Sequence, residues 1–374
     1  MKYCFIQNLI APYRTALFNT LNELGLDFVV LYMNETVADR SWRVDLTSLK
    51  FHYHVFDGWQ GVLFGYALNW NPRLIKYVKD NEEAKVILGS GWNDIDIIAI
   101  CLLKRFHIIK NELLFWSEAN YLTNGARRDN WIKRKLRSFI FHSGDGRFIV
   151  PGQMSVETFS RWKITVKEFL FLPNVIDENL FNTYHRDYLP EEGLPNVIMP
   201  VRLIEKIKGI INFFQGIGKE NVKKAIFHIL GDGEDESMIQ SFINSCGYSN
   251  HIILEGFKQG KDLVDFYNRA DFFVLPSFSD PSPLSIVEAT RCGLPLLVSR
   301  RCGNYLEALV EGVNGFSFDP DNRDEMRISF EKMLHSRPEW REMGRKSFLS
   351  FQRSFEQANV LKRFVTELTN KDYE

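Results

Sequence analysis

Short apolar runs alternate with amphipathic segments along the whole chain. "YCFIQN" near the start reads as a strand, and "YRTALFNTLNELG" after it repeats apolar positions at helical spacing until Gly25 offers a stop. "DFVVLYM" is the next strand, and "KVILGS", "ELLFWSE" and "RFIVPG" are further strands with helices between them. This alternation predicts a parallel sheet covered by helices on both faces.

The rhythm breaks and then restarts. "EFLFLPNVID" ends a strand at Pro173 and Asn174, and the polar "DENLFNTYHRDYLPEEGLPN" has little periodicity. "NVIMPVR" opens a second series: helix "GIINFFQGIGK", strand "AIFHILGDG", helix "EDESMIQSFINSCG", strand "HIILEGF", helix "GKDLVDFYNRA", strand "DFFVLPS", helix "PLSIVEATRCG" and strand "PLLVSR". The pattern predicts an α/β protein of two similar halves, residues 1–180 and 181–355, with a terminal helical segment, 356–374, able to pack back on either half, the first included. There is no low-complexity tract and no short-period repeat.

A length of 374 residues suits two domains, and 45% apolar residues suffice for two cores. A formal net charge of −1 leaves no global field to draw the protein onto nucleic acid. The five cysteines are scattered, with no CxxC or Cys/His cluster, so zinc is not indicated and a reducing cytoplasm is the natural setting. The start lacks a small-residue cleavage site, which argues against a signal peptide. The longest greasy run, Ile97 to Leu103, is too short to span a bilayer and ends at Lys104 and Arg105.

In open parallel sheets, ligands bind beyond the carboxyl ends of the strands. In the second half those ends carry Arg202, Lys206 and Lys208, then Gly231-Asp232-Gly233, then "SFSDPSPLSIVEATRCG" with Asp280 and Glu288, then Arg301-Cys302-Gly303. Cations beside a helix start suit a phosphate: N–H groups at Leu284 and Ser285 point outward, and Pro283 is tolerated in a first turn. Arg202 can fork onto phosphate oxygens, and Lys208 adds a point charge. Carboxylates on the same rim suit hydroxyl groups. A ligand with both a diphosphate and many hydroxyls is a nucleotide sugar. The dinucleotide fingerprint fails, because position 236 is Glu. His228, inside a strand, reads as a satisfied core residue.

With these motifs in order, "LPNVID", "VRLIEKIKG", "ILGDGEDE", "ILEGF", "LVDFYNRADFFVLPS", "DPSPLSIVEATRCGLPLLVS" and "GNYLEALVEGVNGFSFDP", the C-terminal half resembles the retaining glycosyltransferases of family 4, which have the GT-B fold. The resemblance implies two Rossmann-like domains facing a cleft. The family's glutamate–seven residues–glutamate motif falls on Asp280 and Glu288, the first acid shortened to Asp. It implies that Asp280 faces the donor sugar, Glu288 holds the ribose hydroxyls, and Arg202 and Lys208 neutralise the leaving diphosphate. Gly231 would lie near the donor and the backbone around Phe257 near the nucleobase.

The first half would bind the acceptor. Its first loop, "QNLIAPYRTALFN", lacks the family's usual glycine, and Ala-Pro-Tyr-Arg there is similar to enzymes building bacterial surface polysaccharides, including lipopolysaccharide. Asn8, Tyr13 and Arg14 follow the first strand and so belong to the cleft edge. Glu118, in "LLFWSEAN", takes the place of a histidine that many members carry. Trp92, in "SGW", and Trp116 offer faces for a sugar ring. "NDID" has the spacing of a metal-binding acid pair, but Asn and Asp favour helix starts, so no divalent ion is expected. "RRDNWIKRKLRSFIF", residues 127–141, reads as a basic helix with Trp131, Leu136, Phe139 and Ile140 on one side, able to lie on an anionic membrane surface or to be a solvated face.

The expected function is transfer of a sugar from a UDP- or GDP-linked donor to a hydroxyl of a glycan or lipid-linked acceptor, without a required cofactor. A sugar-nucleotide epimerase of the same fold, a dinucleotide-dependent oxidoreductase and a non-catalytic binding subunit are the rival readings.

Overall fold

The structure, a computed structural model, describes residues 2–35, 46–63, 66–123, 130–181 and 193–369. Its first sheet comprises β1 (Tyr3–Gln7), β2 (Phe28–Tyr32), β3 (Tyr53–Val55), β6 (Lys85–Leu88), β7 (Leu113–Trp116), β8 (Arg147–Val150) and β9 (Glu168–Phe171), all parallel, in the spatial order β3-β2-β1-β6-β7-β8-β9. Between β3 and β6 runs an antiparallel hairpin, β4 (Trp59–Leu63) with β5 (Tyr66–Trp70). Its pattern had not separated it from the surrounding loop.

The second sheet comprises β10 (Asn196–Pro200), β11 (Ile226–Leu230), β12 (Ile252–Gly256), β13 (Phe272–Leu275), β14 (Leu296–Ser299) and β15 (Gly315–Phe318), also parallel, ordered β12-β11-β10-β13-β14-β15. Each sheet reverses its strand order once, beside β1 and beside β10, and a crevice opens at such a reversal. These two α/β sheets are the two halves expected from the alternation.

The pleat explains why strands such as β1 are apolar throughout. Tyr3 and Phe5 enter one core, with Leu17 and Phe18, while Cys4 and Ile6 enter the core on the opposite face, with Val29 and Leu31. The second half has one continuous core through Ile198, Phe227, Phe273, Leu297 and Trp340. The helix Gln357–Thr369 buries Val360, Leu361, Phe364 and Leu368 in the core of the first sheet, although it follows the second in sequence. Each such side chain is worth about 1.5–3 kcal/mol of apolar burial, enough to strap the chain end down. Tyr3 Oη also donates to Leu368 O at 3.3 Å.

The basic helix differs from its expected orientation. Trp131–Phe141 buries Arg137, Ile140 and Phe141, while Trp131 and Leu136 are exposed. Arg137 goes inward because its guanidinium lies flat on the Trp162 ring, 3.8 Å from the centroid. Arg127, Arg128 and Asp129 lie outside the described residues. No helix among the described residues is long and apolar enough to cross a membrane.

Candidate functional site

The loops after β10, β11, β13 and β14 are stitched together by backbone bonds. Leu203 N donates to Asp232 O at 2.8 Å and Asp235 N to Leu203 O at 2.9 Å. Phe278 N donates to Ile207 O at 2.8 Å, and Gly303 N to Asp280 O at 2.8 Å. Gly231, with φ +150°, approaches so closely that an added Cβ would lie 1.9 Å from Val201 O. Only glycine fits both the conformation and the contact.

This stitching brings Lys208 and Asp280 together as an ion pair, both only 15% exposed at the side chain. The Arg202 side chain, in the loop after β10, is exposed and makes no hydrogen bond or ion pair among the described residues. It is therefore free to meet a ligand anion. Lys206 turns outward to Glu234, 3.1 Å away, in the neighbouring loop. The helix Leu284–Arg291 begins with Pro283 in the cap position rather than inside the first turn; no side chain caps it, and Leu284 and Ser285 are half-buried. Phe257, after β12, is 47% exposed.

Glu288 is half-buried, and its carboxylate accepts from Tyr267 Oη at 2.6 Å. Burial pushes its carboxyl up to about 7, while the Tyr267 bond pulls the other way. Arg301, counted at the edge from sequence, is instead buried and neutralised by Asp319, at 3.0 Å, and by Asp321. His228 is half-buried on β11, bonded to Glu255 at 2.7 Å and Asn196 at 3.2 Å.

The first half meets this edge directly. Arg14 is buried, not a surface arginine: it stacks on Trp116, 3.9 Å from the ring centroid, and donates to Glu118 Oε1 at 2.8 Å. Trp116 is thereby covered, so it offers no face to a sugar. Glu118 also accepts from Asn174 Nδ2 at 3.2 Å, and that amide reaches Ser282 O, in the Asp280 loop, at 3.1 Å. Asn120 Nδ2 donates to Arg301 O at 3.1 Å, and Glu307 Oε1 accepts from Gln153 N at 2.6 Å. Asn8 is exposed, Tyr13 is half-buried, and Trp92 is half-buried with Arg137 6.0 Å from its ring.

Sequence reasoning passed over Asn120, Tyr267, Ser282 and Glu307. Only Asn174 carried a local signal, standing directly after a strand-ending proline. The "NDID" acids are structural: Asp94 caps the helix Ile95–Arg105, accepting from Asp96 N, and buried Asp96 accepts from Asn71 N and Nδ2. Among the described residues no group of three or more metal-ligating side chains is assembled.

Residues 181–348 match the family model "Glycosyl transferases group 1". An uncharacterized glycosyltransferase of Methanocaldococcus jannaschii is 25% identical over 173 residues, 44% of this chain and 48% of that protein. The alpha-monoglucosyldiacylglycerol synthase of Acholeplasma laidlawii is 28% identical over 186 residues, 46% of this chain and 45% of that protein. The chain thus spans about half the length of these curated relatives. The crystal structure of Anabaena HepE in complex with UDP superposes with a TM-score of 0.75, at 15% identity, over 99% of this chain and 100% of that one. The chain therefore has the GT-B fold of two Rossmann-like domains, and its residues 181–348 match the glycosyl transferases group 1 model.

Proposed function

We propose that this protein is a glycosyltransferase of family 4 that moves a sugar from a UDP- or GDP-linked donor to a hydroxyl of a glycan or lipid-linked glycan, with retention of configuration. The observation that carries the reading is the stitched edge, whose loops carry an Arg202 side chain without a partner and the Lys208–Asp280 pair and lead into an uncapped helix that holds Glu288. The group 1 match of the same residues, and UDP in the crystal structure of HepE, support it.

In this reading Arg202, Lys208 and the N–H groups of Leu284 and Ser285 receive the diphosphate and stabilise its charge as it departs. Gly231 lets the backbone approach the donor, Lys206 flanks it, and Phe257 lies beside the base. Asp280, holding Lys208 in place, shares it with the phosphate and turns its other oxygen to the sugar. Glu288 accepts a ribose O–H. The C1–O bond to the diphosphate breaks, the acceptor oxygen bonds to C1 on the same face, and its proton passes to the departing phosphate. Closure of the halves keeps water out.

On the first half, Glu118, fixed by Arg14 and Asn174, orients the acceptor hydroxyl, with Asn8, Tyr13 and Trp92 around it. Residues 1–180 and 181–355 would be the working domains, with 356–374 tying the second to the first. The setting is cytoplasmic, at the inner face of a bacterial membrane, in surface-polysaccharide assembly. The exposed Trp131, Ile132 and Leu136 beside Arg134 and Lys135 suit contact with that face. A thermal-shift panel of nucleotide sugars tests the proposal. At least one must raise the melting temperature, as a ligand selective for the folded state does. A donor that bound and was altered with no acceptor present would point to an epimerase instead.

A further inference from the structure

The β4–β5 hairpin is inserted at the start of the crossover from β3 to β6, before the helix Pro72–Asp80, so it belongs to the carboxyl edge of the first sheet. Trp59 and Trp70 are directly paired across it, and paired positions project from the same face. Trp59 is 62% exposed and Trp70 41%. Trp59 does not stand upright: a Cβ placed on Gly61 would fall 2.2 Å from its outer ring. The missing side chain at Gly61 leaves the indole room to lie over the strand, with most of the residue still open to solvent.

The base of this hairpin is built rigidly. Asn71, directly after Trp70, donates from N to Asp96 Oδ1 at 2.8 Å and from Nδ2 to Asp96 Oδ2 at 2.6 Å, and Asp96 is fully buried. Asp94 accepts from Asp96 N at 3.1 Å and from Ser90 Oγ at 3.3 Å. Hairpin, helix start and the cleft loop holding Trp92 are thus one network. Two paired tryptophans open on one face form a contiguous aromatic patch of the kind that marks a binding surface.

We propose that Trp59 and Trp70 are a sugar-stacking platform that holds a neutral pyranose unit of the acceptor, beyond the one that reacts. The inference rests on the glycosyltransferase reading and names the chemistry of its acceptor. An indole face matches the C–H face of a pyranose and leaves the sugar's hydroxyl rim in water. Its place fits a unit beyond the reacting one, because the hairpin follows the edge strand β3, four strands, about 19 Å, from β7, after which Glu118 stands, while its far end is tied to the helix start after β6. A glycan reacting near Glu118 would extend along the cleft loop to reach it.

The test uses the full chain labelled with 5-fluorotryptophan, its resonances assigned through single Trp→Phe variants. It is titrated with UDP and, separately, with maltotetraose, cellotetraose, laminaritetraose, chitotetraose and mannotetraose. The Trp59 and Trp70 signals are expected to move saturably with at least one tetrasaccharide and to stay put with UDP. The double variant W59A/W70A should weaken that glycan roughly tenfold or more, the scale of a lost aromatic stacking surface. Gly61→Val, which tips the ring without removing it, should weaken it as well. Tetrasaccharides that leave both signals unmoved, or that bind W59A/W70A undiminished, overturn the platform. Signals that broaden only with phosphatidylglycerol vesicles overturn it in favour of a membrane anchor. Failure of the glycosyltransferase reading would show separately, as no response to UDP or to any nucleotide sugar.

Discussion

Glu288 ties the stability of the second half to pH, and Glu288→Gln exposes the link. Burial raises this carboxyl from an ordinary 4.5 to about 7. Folding therefore increases its hold on a proton, so its contribution is greatest below pH 4.5, falls as pH climbs, and is lost above 7. At about 1.4 kcal/mol for each pH unit between those values, the window spans about 3 kcal/mol. Glutamine keeps an oxygen to accept from Tyr267 but cannot ionise. Urea unfolding would be followed through the fluorine signal of labelled Trp340, which is buried in the same core as Ile286 and Val287 and is the one tryptophan after residue 162. Between pH 5 and 8, wild type should lose about 2–3 kcal/mol relative to Glu288→Gln. Binding should run in the opposite direction. The ionised carboxylate is the better acceptor for a ribose O–H, so a nucleotide sugar found by the thermal-shift panel should bind wild type more tightly as pH rises through 7, and the variant should not share this trend. Unfolding midpoints that move in parallel for the two proteins would show that Glu288 is ionised throughout and would refute the reasoning.

Arg202→Ala should lower transfer roughly a hundredfold or more while shifting stability by less than about 0.5 kcal/mol, since the side chain is exposed and partnerless; near-normal turnover in a steady-state assay would remove Arg202 from the reaction. Gly231→Ala should cost more than about 2 kcal/mol in denaturant unfolding, because the new Cβ meets Val201 O at 1.9 Å. Glu307→Ala should release the start of helix Gln153–Arg161, cost about 1 kcal/mol and enlarge the particle in X-ray scattering, since the Gln153 bond joins the two halves; an unchanged scattering curve would show that the bond does not hold the halves together.

Much of the architecture was legible along the chain, for a local reason. Strands buried on both faces must be apolar, helices between them must be amphipathic, and ligands gather where such strands end. So "NVIMPVR" through "PLLVSR" could be read element by element, and Arg202, Lys208 and Asp280 assigned to one edge, from sequence alone. The β4–β5 hairpin escaped because "WQGVLFGYALNW" is a short apolar run broken by two glycines, with no strict alternation to divide it into two strands, and its terminal tryptophans are open to solvent.

Partner choice was decided elsewhere. Arg14, Arg137 and Arg301 look alike in a list of cations, yet all three are buried, against Glu118 and Trp116, against Trp162, and against Asp319 and Asp321. Arg202 alone of these four stays open. Nothing near each arginine in sequence separates these fates, because the partners of Arg14 lie about a hundred residues away. A single chain determines which segments hide from water. Which charge meets which, and therefore which cation remains for a ligand, is decided only when distant loops pack at one edge and desolvation forces every buried charge to find a partner.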